Sequence, residues 1–484
     1  MCFSRPIVLR ATLLCALLVA CSKSTDDRVT NQQLVQVATP TVVLIFVDTL
    51  RADHLGTYGY SKNTSPNIDR LANEAAVFEN AIAQATWTLP SFLSVFTSRY
   101  VPALVDMKYG KRYFLPLPAE VPVLTEYFHE QGYATAGFVA VRFLGREFGF
   151  HRGFDVYDDS GESAVKIVKR AISWLKTTTN LRKFLFVHLY DVHGDFRPPK
   201  PYDEMFVQKI DLKTAIDAPP YSQHDHSFDH IPKYQTLKGH RNLSYYVAQY
   251  DGEIRHVDTQ LGKLFEALRS QGLYDNSLIL LSADHGESLT EYRYYLDHGV
   301  PTDQVLKVPL ILKLPSTLRL KGRFSGQVQL IDILPTLLEL LKVAPKMPLQ
   351  GTSLLGVVRG ELTETSPYAY ATEGIMDQWV IRTNHWKYVR RVPGSRELQV
   401  WRTCPDSDLA DRKAVVEELF DLKEDANEQD NLATQNPQMR DKLAADLDVW
   451  ITDQARRRTG QSTSPVQLDA ETKKQLRALG YTSP

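Results

Sequence analysis

Three short apolar segments, each rich in β-forming residues and each ending in acidic or histidine side chains, set the strongest constraint on the fold. They are TVVLIFVD, which ends at Asp48, KFLFVHLYDVH, which contains His188, Asp191 and His193, and NSLILLSADHGE, which contains Asp284 and His285. Such segments, separated by helical patterns, are typical of an α/β protein with a largely parallel, buried sheet. Ligands bind beyond the carboxyl ends of such strands, so we expect these side chains to converge and to offer oxygen and nitrogen ligands to a divalent cation.

Helical periodicity fills the intervals between these segments. The pattern SPNIDRLANEAAVF (65–78) follows the first segment, and a longer one (245–272) precedes the third and stops at Gly272. We expect Asp251, Glu253 and Asp258 to lie on the solvated face of the longer helix. No repeat period, P-loop, CxxC or HExxH motif occurs, which leaves several standard cofactor chemistries without support.

The size and charge of the chain exclude some function classes. At 484 residues it exceeds the size at which a single core stops growing, which predicts one large domain and a smaller one. Lys and Arg number 56 against 57 Asp and Glu, with no polybasic tract, so nothing indicates a nucleic-acid partner.

The N-terminus predicts export and lipid anchoring. Arg5 and Arg10 precede an apolar run that is too short to span a bilayer, and the run leads into LVAC, which resembles a bacterial lipoprotein signal. Residues 1–20 would then be the signal peptide, Cys21 the lipidated first residue and 21–40 a polar tether. Because Cys2 and Cys15 leave with the signal, Cys404 alone would remain unmodified, and no disulfide could form within one chain. The alternative is a plain secretory signal.

Two polar stretches each allow a structural and a functional interpretation. In HDHSFDH, the three histidines could form a metal cluster, but the long, proline-dotted stretch around them favours an exposed loop that borders the site (His224, His226 and His230). In TWTLPS, Thr88 could be a helix N-cap with Pro90 in the first turn, or it could be a nucleophile.

Longer motifs decide between the two interpretations of Thr88 by resemblance. The stretch from IFVDTLRADHLGTYGY through ATWTLPSFLSVFTS resembles the opening of the sulfatase family in the alkaline phosphatase superfamily. Further motifs follow in the family's order: HLYDVHGDFRPP, YDGEIRHVDTQLGKLFEAL, SADHGESL, DHGVPTDQVLKVPLILKLP, HWKYVRR and ELFDLKEDANEQDNLA. The resemblance implies an alkaline-phosphatase-like three-layer α/β sandwich with a mostly parallel sheet (41–345), a small C-terminal α+β subdomain (346–460) and a tail (461–484).

The same resemblance implies roles for individual residues. Asp48, Asp284 and His285 would bind the metal, and Thr88 would be both nucleophile and metal ligand. His193 and His298 would contact the anionic group of the substrate or the leaving oxygen. We interpret His188 as a core histidine or one that supports a ligand.

Departures from the family bear on the substrate and the metal. True sulfatases have Cys or Ser, converted to formylglycine, where this chain has Thr88, and they have Arg where it has Phe92. Threonine cannot become formylglycine, so Thr88 resembles the family members that form a phosphothreonine intermediate. Thr49 replaces a calcium-binding Asp, which favours Mn or Zn over Ca. A second metal bound through Asp191, His193 or His298 stays open.

These observations predict a metal-dependent hydrolase of phosphoric or sulfuric esters, with phosphate mono- or diesters and phosphonates favoured. Its partners would be an anionic ester substrate, which could belong to an envelope glycan or lipid, and the bilayer that holds Cys21. The location would be the bacterial cell envelope, and Ser22 favours the outer membrane. The alternatives are a transferase that passes a phosphoryl group to an envelope glycan, and an inactive sulfatase-like binding lipoprotein.

Overall fold

The computed structural model describes residues 40–105, 115–210, 218, 230–318, 320–373, 378–391, 416–458 and 466. An eight-stranded sheet forms its centre, with the strand order β4-β3-β5-β1-β6-β7-β2-β8. Its strands are β1 Val42–Val47, β2 Ala76–Ile82, β3 Ala134–Val139, β4 Val156–Asp158, β5 Lys183–Leu189, β6 Leu278–Ser282, β7 Lys307–Lys313 and β8 Gly322–Gln329. All neighbouring pairs are parallel except those of β7, which runs antiparallel to β6 and β2.

A second sheet of four antiparallel strands, in the order β12-β11-β10-β9, follows in the chain. Its strands are β9 Ala369–Glu373, β10 Gln378–Arg382, β11 Trp386–Arg391 and β12 Val416–Asp421. The α-helices are α1 Pro66–Ala72, α2 Thr88–Thr97, α3 Val101–Leu104, α4 Leu124–Glu130, α5 Ala164–Thr177, α6 Tyr202–Met205, α7 Leu243–Ser270, α8 Asp303–Leu306, α9 Ile333–Leu341, α10 Leu355–Val358 and α11 Pro437–Arg457. The domain boundaries stay predictions.

The three apolar segments of the sequence form the adjacent central strands β5, β1 and β6, and every residue of these strands is buried. Runs of Val, Leu, Ile and Phe suit strands that are covered on both faces. In register, Val47 pairs with Leu189 and Phe46 with Ser282, so the three strands end at the same edge of the sheet. This common edge is the structural basis for the predicted convergence of the side chains that follow the three strands.

The first predicted helix is only half correct. Helix α1 ends at Ala72, and residues from Ala76 onward form β2 instead. There β2 is paired on both sides, with β7 and with β8, and these ladders outweigh the local helical periodicity. The longer prediction is confirmed by α7, after which Gly272 takes a left-handed φ of 66°.

The predicted solvated face of α7 is wrong, because Asp251, Glu253 and Asp258 are all buried. Each carboxylate accepts hydrogen bonds from neighbouring loops or from the start of α1: Asp251 from Tyr60 and Lys62, Glu253 from the backbone of Arg197, and Asp258 from the backbone of Asn67 and Ile68. These bonds replace water for groups that would otherwise be costly to bury.

Several predictions from the sequence fall outside the described residues. These are the signal peptide, Cys21, the tether, Cys404, His224 and His226, whereas His230 is described and half-buried. Within the described ranges, no helix combines the length and the apolar character needed to cross a bilayer.

Candidate active site

Thr88 is the first residue of α2 and not its N-cap. The cap position belongs to Trp87, whose backbone is extended with φ −152° and ψ 163°. The Thr88 hydroxyl donates instead to Oδ2 of Asp48, at 3.3 Å, and Thr88 itself is 1% exposed. The structural alternative for TWTLPS, an N-cap at Thr88, is therefore wrong, although Pro90 does lie in the first turn.

Asp48, Asp284 and His285 meet beyond the ends of β1 and β6. One potential ligand atom from each lies within 4.8 Å of the others, and all three residues are fully buried. Nε2 of His285 is 3.5 Å from Oδ1 of Asp48 and 3.5 Å from Oδ2 of Asp284. In the described part of the chain, this is the group of His, Cys and acidic side chains whose geometry could hold a metal ion.

The atoms of this group fit a cation because they lack other partners. Counting all described residues, no hydrogen bond reaches Oδ1 of Asp48, either carboxylate oxygen of Asp284, or Nε2 of His285. Burial raises the pKa of Asp284 to about 7 and that of Asp48 well above its usual value, and it lowers the pKa of His285 to about 3. A divalent cation would satisfy these buried oxygen and nitrogen atoms together.

Two further histidines border this group. The His298 ring lies 4.5 Å from the His285 ring and 5.5 Å from the His193 ring, measured between centroids. His298 Nδ1 donates to the carbonyl of Thr86 at 2.7 Å, two residues before Thr88. His193 Nδ1 lies 2.7 Å from the Tyr190 hydroxyl, and burial with the neighbouring His298 lowers the pKa of His193 to about 3.

Aromatic packing occupies the position where the family has an arginine. Phe92 is fully buried, with its ring 5.0 Å from Phe46 and 5.3 Å from His188. Nε2 of His188 is 3.6 Å from Oδ2 of Asp48, so this histidine lies beside a potential ligand, within the aromatic cluster. Burial lowers the pKa of His188 to about 3, which keeps its ring neutral.

Asp191 is not brought into the group. Its Oδ2 accepts a hydrogen bond from the backbone of Ala164 at 2.7 Å, and its Oδ1 lies 3.7 Å from Nε2 of His256. A second metal bound through Asp191 therefore has no support from this geometry.

Sequence reasoning missed two buried residues beside the site. The Tyr250 hydroxyl donates to the carbonyl of Thr49 at 2.7 Å and accepts from the backbone N–H of Arg51 at 2.9 Å. These two bonds hold the loop after Asp48, in which Thr49 has a left-handed φ of 54°. Burial raises the pKa of Glu287 well above its usual value. The only sequence signal was position, since Glu287 ends the segment that carries Asp284.

The fold and this geometry agree with comparisons to known proteins. The family model described as Sulfatase matches residues 40–343, which is more than half of the chain. The chain belongs to the sulfatase family. A second model, N-sulphoglucosamine sulphohydrolase, C-terminal, matches residues 290–405. The chain is therefore an ester hydrolase of this family, as its motifs predicted.

Relatives and solved structures of the family align over most of this chain. A Delta 4,5-hexuronate-2-O-sulfatase of Bacteroides thetaiotaomicron is 24% identical, covering 92% of this chain and 94% of its own. An ulvan-active sulfatase of Formosa agariphila is 24% identical over 85% and 75% of the two chains. The crystal structure of a phosphonate monoester hydrolase of Agrobacterium radiobacter has a TM-score of 0.66 at 21% identity, covering 86% of this chain and 96% of that one. The predicted alkaline-phosphatase-like fold is confirmed.

Proposed function

We propose that this sulfatase-family hydrolase is metal-dependent, uses Thr88 as its nucleophile, and acts preferentially on phosphate mono- or diesters or phosphonate esters. The observation that carries the proposal is the position of the Thr88 hydroxyl, at the start of a buried helix and against a carboxylate of the Asp48, Asp284 and His285 group. A helix N-terminus also favours the negative charge of an ester's phosphoryl oxygens.

Asp48, Asp284 and His285 would hold a divalent cation, with the Thr88 oxygen as a further ligand. When bound, such a cation lowers the pKa of a nearby hydroxyl and offsets developing negative charge. The mixed oxygen and nitrogen donors favour Mn or Zn, with Ca as the third candidate.

The side chains of this protein then divide the reaction between them. Thr88 Oγ1 passes its proton to Oδ2 of Asp48, the oxygen to which it donates, and forms a bond to phosphorus while the bond to the ester oxygen breaks. Because His298 Nδ1 is committed as a donor to Thr86, Nε2 is the nitrogen that can gain a proton and pass it to the leaving oxygen. Water then gives a proton to His298 Nε2 and attacks phosphorus, which breaks the bond to Thr88 Oγ1 and releases the phosphate, phosphate monoester or phosphonate product, while Oγ1 takes its proton back from Asp48.

Phosphate is favoured over sulfate because of the chemistry of Thr88. A threonine side chain cannot be oxidised to formylglycine, so the aldehyde-hydrate route of true sulfatases is closed. Sulfated glycans stay in the substrate panel because a relative named for hexuronate 2-O-sulfate aligns along nearly the whole chain.

The test uses protein purified without chelator, its bound metals measured by elemental analysis. Aryl phosphate monoesters and diesters, phosphonate monoesters, aryl sulfates and a 2-O-sulfated hexuronate glycan are then compared at equal concentration. We expect one divalent metal per chain, the highest kcat/KM on a phosphorus ester, and phosphate on the Thr88 peptide after an acid quench. Faster turnover of a sulfate ester, with no adduct on that peptide, would contradict the proposal.

Anchoring is a separate proposal. Acylated Cys21 would hold the enzyme at the bacterial envelope, because several acyl chains give the stable attachment that one chain does not. Cys21→Ala should move the protein from the membrane fraction to the soluble fraction with kcat unchanged. A Cys21→Ala protein that still sediments with membranes after a high-salt wash would refute lipid anchoring.

A further inference from the structure

The four-stranded C-terminal sheet has one face of apolar and aromatic side chains and an opposite face where polar side chains flank Val380 and Val389, and both faces are covered. The apolar face of β10 and β11 packs against α11. The opposite face carries amide and cationic side chains that are at most 5% exposed: Gln378, Arg382, Lys387 and Arg391. Burying such groups is costly unless they form hydrogen bonds or ion pairs, so their partners identify the segments of the chain that this face contacts.

One partner is the residue that follows His298. Nε2 of Gln378 donates to the carbonyl oxygen of Gly299 at 3.2 Å. The orientation of the Gln378 amide is set by Arg391, whose Nε donates to Oε1 of Gln378 at 3.0 Å and whose guanidinium pairs with Glu418 at 2.8 Å. A bonded chain therefore runs across three strands of this sheet to the segment that carries His298.

A second attachment lies five residues beyond His298. Asp303 accepts from Arg382 Nη2 at 2.7 Å and lies 3.3 Å from Nζ of Lys387. Lys387 also pairs with Glu428 at 2.5 Å, and Glu428 in turn accepts from the Asp303 backbone at 3.1 Å. Buried ion pairs of this kind fix geometry, because breaking one leaves an uncompensated charge.

The sheet also contacts the segment before the nucleophile. The backbone N–H of Thr372, on β9, donates to the carbonyl of Gln84 at 3.0 Å, and Thr372 forms an isolated bridge with Ala85. Gln84 and Ala85 immediately precede Thr86, the acceptor of His298 Nδ1. The C-terminal sheet therefore holds both segments whose contact defines the position of His298.

We propose that Gln378 is a positioning residue for His298, acting through Gly299 and without contact with the substrate. The inference rests on the proposed function, in which His298 gives a proton to the leaving oxygen. Proton transfer needs hydrogen-bond reach, and a misplacement of about 1 Å costs up to about 100-fold in rate. Loss of the Gln378 donor frees the carbonyl next to His298, so the imidazole samples positions outside that reach.

The test compares Gln378→Met, which keeps the length and loses the donor, with Tyr388→Phe. Tyr388 lies on the apolar face of the same sheet and donates to Glu417. Its variant therefore loses a hydrogen bond that has no contact with the segment that carries His298. Gln378→Glu is the second variant, because it keeps the oxygen that accepts from Arg391 and replaces the donor to Gly299 by a carboxylate oxygen. It also gives a readout if Gln378→Met does not fold.

We expect both Gln378 variants to lower kcat about 10- to 100-fold with KM nearly unchanged, and Tyr388→Phe to leave both constants close to wild type. The loss should be larger for esters with a poor leaving group than for a nitrophenyl ester, which needs no proton. In a His298→Ala background, Gln378→Met should cost no further activity. The inference would be overturned if Gln378→Met lowered kcat equally for both leaving groups. It would also be overturned if Gln378→Met lowered kcat by the same factor in the His298→Ala background.

A measurement without turnover separates this inference from the proposed function. Hydrogen exchange of the peptide around 294–306 should be faster in Gln378→Met and unchanged in Tyr388→Phe. Unchanged exchange in Gln378→Met overturns the positioning role even if Thr88 forms the adduct. If exchange is faster in Gln378→Met but no Thr88 adduct forms, the result supports the contact between Gln378 and the segment that carries His298. Only the proposed reaction is then overturned.

Discussion

The hydroxyl of Thr88 lies 3.3 Å from Oδ2 of Asp48, although forty residues separate the two in the chain. Asp48 follows the central strand β1, and Thr88 begins the buried helix α2. Neither side chain has a cap or surface role that would explain its burial, since Thr88 caps no helix and Asp48 is fully buried. The contact therefore brings a nucleophile candidate to a ligand candidate before any substrate arrives.

The first prediction concerns Thr88. Thr88→Ala should lower kcat by several orders of magnitude, because a covalent route needs the hydroxyl, while Thr88→Ser should retain a measurable fraction. Losing one long hydrogen bond should change the free energy of unfolding by only about 1 kcal/mol. Steady-state kinetics and thermal unfolding of the three proteins check this, and a fully active Thr88→Ala variant would rule out Thr88 as nucleophile.

The second prediction concerns the metal group. Asp284→Asn should lower metal content and abolish turnover, because an amide oxygen is a weaker ligand than a carboxylate. Elemental analysis and kinetics at saturating metal are the measurements. The control is Asp258→Asn, a buried acid of α7 that should keep full metal content while losing some stability. Normal metal content and activity in Asp284→Asn would leave Asp284 without the proposed role.

Sequence reasoning predicted the convergence of the strand ends better than the burial of the residues around them. The ends of β1 and β6 are local features, so the convergence of Asp48 and Asp284 could be derived from strand patterns alone. The burial of Asp251 could not, because its donors, Tyr60 and Lys62, lie in a loop nearly two hundred residues away in the chain. Gln378 was missed for the same reason: its contact with Gly299 joins the C-terminal sheet to the segment that carries His298, which no periodicity within one strand records.

The third prediction concerns Phe92, at the arginine position of the family. Phe92→Ala should lower the free energy of unfolding by about 3–5 kcal/mol, because it leaves a cavity among Phe46, Phe186 and His188. Phe92→Arg should be at least as destabilising, since it buries a charge in an aromatic cluster, and it should not create sulfatase activity. Denaturant unfolding measures both, with Phe92→Leu as the milder control. A Phe92→Arg variant of wild-type stability would show that this cluster tolerates the family's cation.

The last prediction concerns pH and Glu253. Burial, with nearby Asp191, raises the pKa of Glu253 from 4.5 to about 9, so the folded protein holds this proton over a range in which the unfolded chain releases it. Stability from this group is fully present below pH 4.5 and is lost as the pH rises towards 9. Glu253→Gln imitates the protonated acid and can still accept from Arg197, so it should stabilise the protein by about 4–5 kcal/mol at pH 8.

At pH 5 the same substitution should gain less than about 1 kcal/mol, because this pH lies only slightly above 4.5, the pKa of Glu253 in the unfolded chain. Glu266→Gln is the matched control: it changes the same residue type on the same helix at an exposed position, so it removes a carboxylate that folding does not bury. The measurement is chemical denaturation of the three proteins between pH 5 and 8. If Glu253→Gln changes the free energy of unfolding by the same amount at both ends of this range, Glu253 is ionised in the folded protein, and the raised pKa is wrong.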